Sequence, residues 1–383
     1  MRALVTTSGA AGHLGPLIPF ARAIREQGGE VLVATRASQA AAVSGAGFAA
    51  RPFADADPAA RGAVFASLGG DLGSEEANRR VVSELFAGLD AEAALPGVLE
   101  ACEEWGPDVV LSEACEFAGG LAAEHAGIPG VRVGISGAAM EARFMAWLGP
   151  ALAPHRARLG LPPDPAARRL LDAPYFTLSP AALDDPGTGA LPAARRFRED
   201  GGHDPAPLPD WWGGSDAPLV YLTLGTVAPA MGFFPGLYRA AIDALAPLDA
   251  RVLVTTGRDA DPAALGPLPA NVHAERWVAQ ADVMPHAAAM VCHGGFGTVR
   301  AGLAAGVPLA VLPLFADQPD NAARVHALGA GVAVAGPGEL AAAVRALLDE
   351  PRYAARAAAV AEETRALPPV QEAARILQEL AAA

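Results

Sequence analysis

The feature that most constrains this chain is a rhythm: short apolar runs alternate with amphipathic helical stretches along most of its length. Residues 2–7 form one such run, and a Gly-rich turn over 8–12 follows it. Leu14, Leu17, Ile18, Ala21 and Ile24 then recur at helical spacing until Gly28-Gly29 stops the helix. Residues 30–35 make a second run and residues 39–44 a short helix; runs at 107–112 and 131–136 flank a helix predicted over 117–125. Residues 180–218 break the rhythm with clusters of Pro, Gly and Asp, as in Asp184-Asp185-Pro186-Gly187 and His203-Asp204-Pro205. The plan then restarts, with runs at 219–225, 251–256, 272–274, 289–292, 309–312 and 332–335. Strands separated by helices predict an α/β fold of parallel, doubly wound sheets. A single core rarely grows past about 250–300 residues, so 383 residues carrying this plan twice predict two domains. The expected bounds are 1–200 and 218–366, with a linker over 201–217 and a C-terminal helix over 367–383 whose Ile376, Leu377 and Leu380 share a face. Leu4-Val5-Thr6-Thr7 is echoed by Leu253-Val254-Thr255-Thr256, which reads as two similar folds and not as a repeat array.

Charge and cysteine usage remove several function classes. The net charge is −14 with no basic run, which sets nucleic acid and anionic membranes aside as partners. No stretch of about 18 uninterrupted apolar residues suggests membrane insertion. Met1 leads straight into the first apolar run without a signal peptide, so a cytoplasmic protein is expected. Cys102, Cys115 and Cys292 are odd in number and far apart, offering neither a disulfide framework nor zinc spacing. All 28 Lys and Arg positions are arginine, which excludes Schiff-base and phosphate-loop lysines. The sequence is silent on oligomeric state, a homodimer included.

The strongest chemical signal is His293-Gly294-Gly295-Phe296-Gly297-Thr298, which follows an apolar run and opens a helix. Glycines let the backbone approach a ligand, and free amides at a helix N-terminus suit a diphosphate. Asp317-Gln318-Pro319-Asp320-Asn321 follows the run at 309–312, so Asp317 and Gln318 are expected beyond the carboxyl end of a strand, where ligands bind in such sheets. A carboxylate beside an amide suits sugar hydroxyls; helix capping by Asp317 is the alternative. Trp277 suits stacking on a nucleobase whose edge the Val278 backbone reads, with a buried core tryptophan as the alternative. In the first half, His13 is a candidate general base, and Glu113 and Glu116, just after the run at 107–112, are candidates for a carboxylate that fixes its tautomer or for a further polar contact. Met140, Phe144, Met145 and Trp147 within 140–148, together with residues 64–72, are candidates for an apolar ligand pocket. The first of these stretches reads equally well as a core helix. Gly9-x-x-Gly12-x-x-Gly15 is not the dinucleotide fingerprint, and Asp55-Ala56-Asp57 reads as a solvated loop, so no metal site is expected. His125, His155, His203, His273, His286 and His326 stand alone and read as structural.

Taken together, these segments resemble the GT-B glycosyltransferases that decorate natural products, above all the bacterial antibiotic and macrolide enzymes. The resemblance rests on Trp277-x-x-Gln280, on His293 to Thr298, on Pro313 with Asp317, Gln318 and Asn321, and on Gly12-His13-x-x-Pro16. It implies two facing Rossmann-like domains, an N-domain for the acceptor and a C-domain for the donor, with the tail helix crossing back to the N-domain. It implies that Trp277 and Val278 hold the base, with Gln280 in the same donor site. His293, Gly297 and Thr298 would hold the diphosphate, with Thr226 near the phosphates, and Asp317 and Gln318 the sugar; Gly294, Gly295 and Asn321 would belong to the same donor site. His13 would be the base of an inverting, metal-independent transfer. No cofactor is implied beyond a nucleotide-diphosphate sugar as co-substrate, with thymidine favoured over uridine, and the acceptor would be small and hydrophobic. A nucleotide-sugar epimerase of the same fold and a non-catalytic homologue are the alternatives.

Overall fold

The computed structural model describes residues 1–9, 11–69, 72–184, 194–199 and 205–382. Ala10, residues 70–71 of the expected pocket stretch, much of the Pro/Gly-rich break and His203 fall outside the described residues. The chain divides into two compact units, Met1–Asp200 with Leu367–Ala383, and Gly201–Ala366.

The first unit is built on seven parallel strands: β1 Arg2–Thr7, β2 Glu30–Arg36, β3 Ala49–Phe53, β4 Val109–Glu113, β5 Gly130–Val133, β6 Tyr175–Thr177 and β7 Ala194–Arg196. Their order is β3-β2-β1-β4-β5-β6-β7. All five residues of β4 are buried, and all of β1 after its first residue, as parallel strands covered on both faces require. Alternate residues then face opposite layers. Val5 and Leu111 join Phe20, Ile24, Phe176 and Phe197 on one face, while Leu4 and Val110 join Val98, Leu121 and Leu148 on the other. Helix Ile18–Glu26 buries Phe20, Ala21, Ala23 and Ile24, and the chain turns away at Gly28, whose φ of +78° favours glycine. The tail helix Val370–Ala382 buries Ala373, Ile376 and Leu377 in the same layer, and Gln27 Nε2 donates to the Gln371 carbonyl at 2.7 Å.

The second unit carries six parallel strands: β8 Leu219–Thr223, β9 Arg251–Thr255, β10 Val272–Glu275, β11 Ala287–Cys292, β12 Leu309–Val311 and β13 Gly331–Ala333. The order is β10-β9-β8-β11-β12-β13. In each sheet the chain starts in the middle, winds outward, then returns to add strands on the other side. The reversal lies between β1 and β4 in one unit and between β8 and β11 in the other. Helices leave these neighbouring strands toward opposite faces, opening a crevice at the carboxyl ends. The echo of Leu4–Thr7 at residues 253–256 does not join equivalent strands: β1 lies at the reversal of its sheet, whereas β9 lies one strand out.

Candidate active site

His13 and Glu113 in the first unit, and Thr226 and the His293 turn in the second, stand where the winding reverses, whereas Trp277 follows β10 and Asp317 follows β12. Thr6 of β1 lies opposite Ser112 of β4, so the chain leaving β1 and the end of β4 are brought side by side. At Gly9, φ is +90°, and a Cβ would sit 2.4 Å from that of Gln39. The short helix Ala11–Leu14 then carries His13. Glu113 ends β4 and is 1% exposed. Its Oε1 lies 2.8 Å from His13 Nδ1 and accepts from the Ser8 hydroxyl at 3.0 Å, and its Oε2 accepts from the Cys115 N–H at 2.7 Å. A carboxylate only accepts, so Nδ1 carries the hydrogen and Nε2 is left with its lone pair. The His13 side chain is 20% exposed, so the ring is not sealed in the core. Burial disfavours the imidazolium, but the Glu113 charge and hydrogen bond outweigh it, and the His13 pKa lies above its ordinary value. Glu113 is likewise opposed by burial, yet His13 and the Cys115 and Ser8 donors hold it below the usual carboxylate range.

Sequence reasoning missed part of the surroundings. Residues Val81–Asp90 form a π-helix, a form that tends to mark functional sites. It sets the Phe86 ring edge-on to His13, 5.6 Å between centroids, and Asp90 against Arg61. Arg36 Nε donates to the Ser8 carbonyl at 2.6 Å, and Arg36, Phe86 and Asp90 line a small cavity with Ser8 and Glu116. Glu116 caps helix Phe117–Ala126 through the Ala118 and Gly119 N–H groups, at 2.8 and 2.9 Å, and burial pushes its carboxyl up to about 7. Met140, Phe144 and Met145 take the core alternative, packed beneath the sheet by helix Ala138–Arg158; Trp147 is only partly buried against the same core. Asp55 and Asp57 are engaged locally. Asp55 accepts from the Ser38 backbone and hydroxyl, and Asp57 caps helix Pro58–Ala66.

In the second unit Thr223 lies opposite Cys292, so the turn after β8 meets the turn after β11. The His293 ring lies against two glycines. A Cβ at Gly225, whose φ is +77°, would fall 2.6 Å from the ring, and one at Gly295 would fall 2.4 Å from Nε2. Burial pushes the His293 pKa down to about 4, so the ring is neutral at pH 7, and its buried Nδ1 has no hydrogen-bond partner among the described residues. Helix Phe296–Ala304 starts after Gly295 without a side-chain cap, with Gly297 exposed and Thr298 partly so. Thr226 is exposed on the turn after β8. After β12, Ala316 adopts φ +55°, which strains a non-glycine backbone just before Asp317. Asp317 does not cap helix Gln318–Ala327 through its side chain. Instead Asn321 Nδ2 donates to Asp317 Oδ2 at 2.9 Å and to the Gly294 carbonyl at 2.8 Å, tying the two motifs together. Buried Gln318 accepts from the Leu314 and Phe315 N–H groups at 2.8 and 3.0 Å, so its carbonyl oxygen shapes the loop. Trp277 is 47% exposed and therefore not a core residue; Val278 and Gln280 beside it are partly buried.

Residues 22–225 match the family described as erythromycin biosynthesis protein CIII-like, N-terminal domain, and residues 239–380 match its C-terminal domain. The chain is 34% identical to the L-demethylnoviosyl transferase of Streptomyces niveus, over 87% of this chain and 85% of that one. Among solved structures it resembles the glycosyltransferase SnogD from Streptomyces nogalater, with TM-score 0.77, 29% identity, and 100% and 99% of the two chains covered. It also resembles the glycosyltransferase VinC in complex with dTDP, with TM-score 0.76, 27% identity and both chains covered in full. Two doubly wound parallel sheets, the family match over both halves and these full-length likenesses agree: the chain belongs to the erythromycin biosynthesis protein CIII-like family and is a GT-B glycosyltransferase of natural-product biosynthesis.

Proposed function

We propose that this enzyme transfers a deoxysugar from thymidine diphosphate to a hydroxyl of a small hydrophobic natural product, inverting the anomeric carbon without a metal ion. The observation that carries this reading is the His13–Glu113 pair at 2.8 Å, with Nε2 left as base. An acceptor hydroxyl is too weak an acid to attack unaided. His13 takes its proton as the oxygen bonds to the anomeric carbon, and Glu113 stabilises the imidazolium that forms. The bond from that carbon to the diphosphate oxygen breaks on the opposite face, and the diphosphate leaves with the electron pair. One displacement inverts the configuration. The uncapped helix at Phe296 and the neutral His293 ring offer N–H donors to the charge that develops on the leaving group.

In this reading the first unit takes the acceptor and the second the donor. Exposed Trp277 supports the base site, and the thymidine nucleotide bound by the VinC relative supports thymidine over uridine. Asp317, tied to the His293 turn through Asn321, is the sugar-binding candidate. Phe86 beside His13, the exposed Phe65 and partly exposed Trp147 favour an apolar acceptor. The reaction is a cytoplasmic one, and the nucleotide sugar is consumed as a substrate, with no cofactor. Incubation with TDP-sugars and a panel of aromatic and macrolide aglycones tests this. A glycoside of inverted configuration is expected. Conversion of the nucleotide sugar without any acceptor would instead indicate an epimerase.

A further inference from the structure

One charged side chain of the second unit has no part in the reading above. Arg258 stands on the turn after β9, the strand next to β8. The turn is pinned. Thr256 Oγ1 donates to the Ala260 carbonyl at 2.7 Å, Gly257 N–H to that of Arg276 at 3.0 Å, and Gly257 takes φ +99°. From this turn the Arg258 guanidinium carbon lies 4.0 Å from the centre of the Trp277 ring. Neighbouring Arg276 is neutralised by Asp261 at 3.1 Å, whereas Arg258 has no carboxylate within ion-pair reach among the described residues. The turn that carries Arg258 also lies beside the turn after β8. A Cβ on adjacent Gly257 would come 3.9 Å from the Gly225 carbonyl, and Gly225 borders the His293 ring.

Two facts then conflict. A cation lies over the indole on which a nucleobase would stack, and the diphosphate turn, His293 to Thr298, holds a neutral histidine and no arginine of its own. A cation over an exposed ring is weakly held, while a guanidinium donating to phosphate oxygens makes a stronger, charge-assisted bond. We propose that Arg258 is a diphosphate-binding residue held in reserve on Trp277. The entering base displaces the guanidinium from the indole, and the guanidinium turns to the diphosphate, placing a permanent positive charge where the leaving group gains its negative charge. This rests on the assignment of Trp277 to the base and of the His293 turn to the diphosphate.

The test compares thymidine with thymidine diphosphate on the full chain, by calorimetry and by displacement, for the wild type, Arg258→Ala, Arg258→Lys and Trp277→Ala. Arg258→Ala should lose roughly 10- to 100-fold in affinity for the diphosphate. Its affinity for thymidine should hold or rise, because the indole is uncovered. Arg258→Lys should recover part of the loss, and the wild type should lose diphosphate affinity more steeply with added salt than Arg258→Ala. Equal weakening of both ligands by Arg258→Ala would mean that the arginine only steadies the indole, and an unchanged diphosphate affinity would mean that it does not reach the phosphates; either overturns the proposal. Trp277→Ala separates the underlying assignment: if it leaves both affinities unchanged, the base site is elsewhere, whatever Arg258 does.

Discussion

Replacing Glu113 with Gln keeps the shape of the side chain and removes its charge, which makes it a direct probe of the His13 pair. In the wild type, burial lowers the His13 pKa and Glu113 raises it, with a net value above the ordinary 6.5. The neutral ring is the competent base, so acceptor kcat/KM should rise with pH along a limb centred above about 6.5, the unperturbed value. In the Glu113→Gln variant the opposing influence of burial remains and the attraction is gone, so the limb should move to lower pH. The rate should fall as well. Oε1 accepts from Ser8 and lies against His13, and Oε2 accepts from Cys115, so an amide must turn its NH2 toward a donor on one side or the other. Losing one hydrogen bond to a charged group costs about 1.5–3 kcal/mol, equivalent to about 10- to 150-fold in rate. Stability follows with signs that can be stated. The raised His13 pKa contributes stability that is complete below the unfolded value and fades as pH rises through the folded value. The lowered Glu113 pKa contributes stability present above its unfolded value and lost as pH falls through the folded one. The melting-temperature deficit of Glu113→Gln should therefore be largest in mildly acidic solution and shrink at alkaline pH. Single-turnover rates across pH, with melting curves on the same samples, measure both. An unshifted limb with undiminished rate would remove Glu113 from the mechanism.

Four further outcomes are expected. His13→Ala should lower turnover by about two to four orders of magnitude while leaving donor affinity nearly unchanged by calorimetry. Turnover should survive EDTA; complete loss restored by magnesium or manganese would refute the metal-free transfer. His293→Ala should weaken thymidine diphosphate by about 10- to 100-fold, and Asp317→Asn should weaken intact nucleotide sugar more than free nucleotide, which titration with both ligands separates.

Much of the scaffold was legible because its central strands announce themselves. Parallel strands buried on both faces read as near-continuous apolar runs, and residues 3–5, 219–222 and 289–292 are such runs. Edge strands lack that constraint. β3 contains Arg51 and Pro52, and β7 is Ala-Arg-Arg, so neither reads as a strand until a neighbour pairs with it. The π-helix escaped for a different reason: its turns do not follow the 3.6-residue period for which a helix is scanned. Nor does periodicity distinguish a ligand-lining helix from a core helix, which is why Met140, Phe144 and Met145 fitted both.

The chemistry divides along the same line. The motif at His293 is local, because glycines, helix start and histidine are consecutive and their geometry follows from a single turn. The His13 pair is not local: its members are one hundred residues apart, and only the reversal of winding between β1 and β4 brings them to 2.8 Å. A strand-by-strand reading supplies His13 at a helix start after one strand and Glu113 at the end of another without saying that those strands are neighbours; the resemblance supplied the pairing. What neither route supplied were Arg36, Arg61, Phe86 and Asp90. They sit on a strand end, a short helix and a π-helix, and they meet around His13 through tertiary packing alone. Arg36 disfavours the imidazolium and Asp90 favours it, so the charges around the dyad include a pair acting in opposition. A substitution at either one should therefore move the His13 limb in a direction fixed by its sign: Arg36→Met to higher pH and Asp90→Asn to lower. Parallel pH profiles of the two variants check this. A limb that moved the same way in both would mean that packing, not charge, couples this cluster to the base.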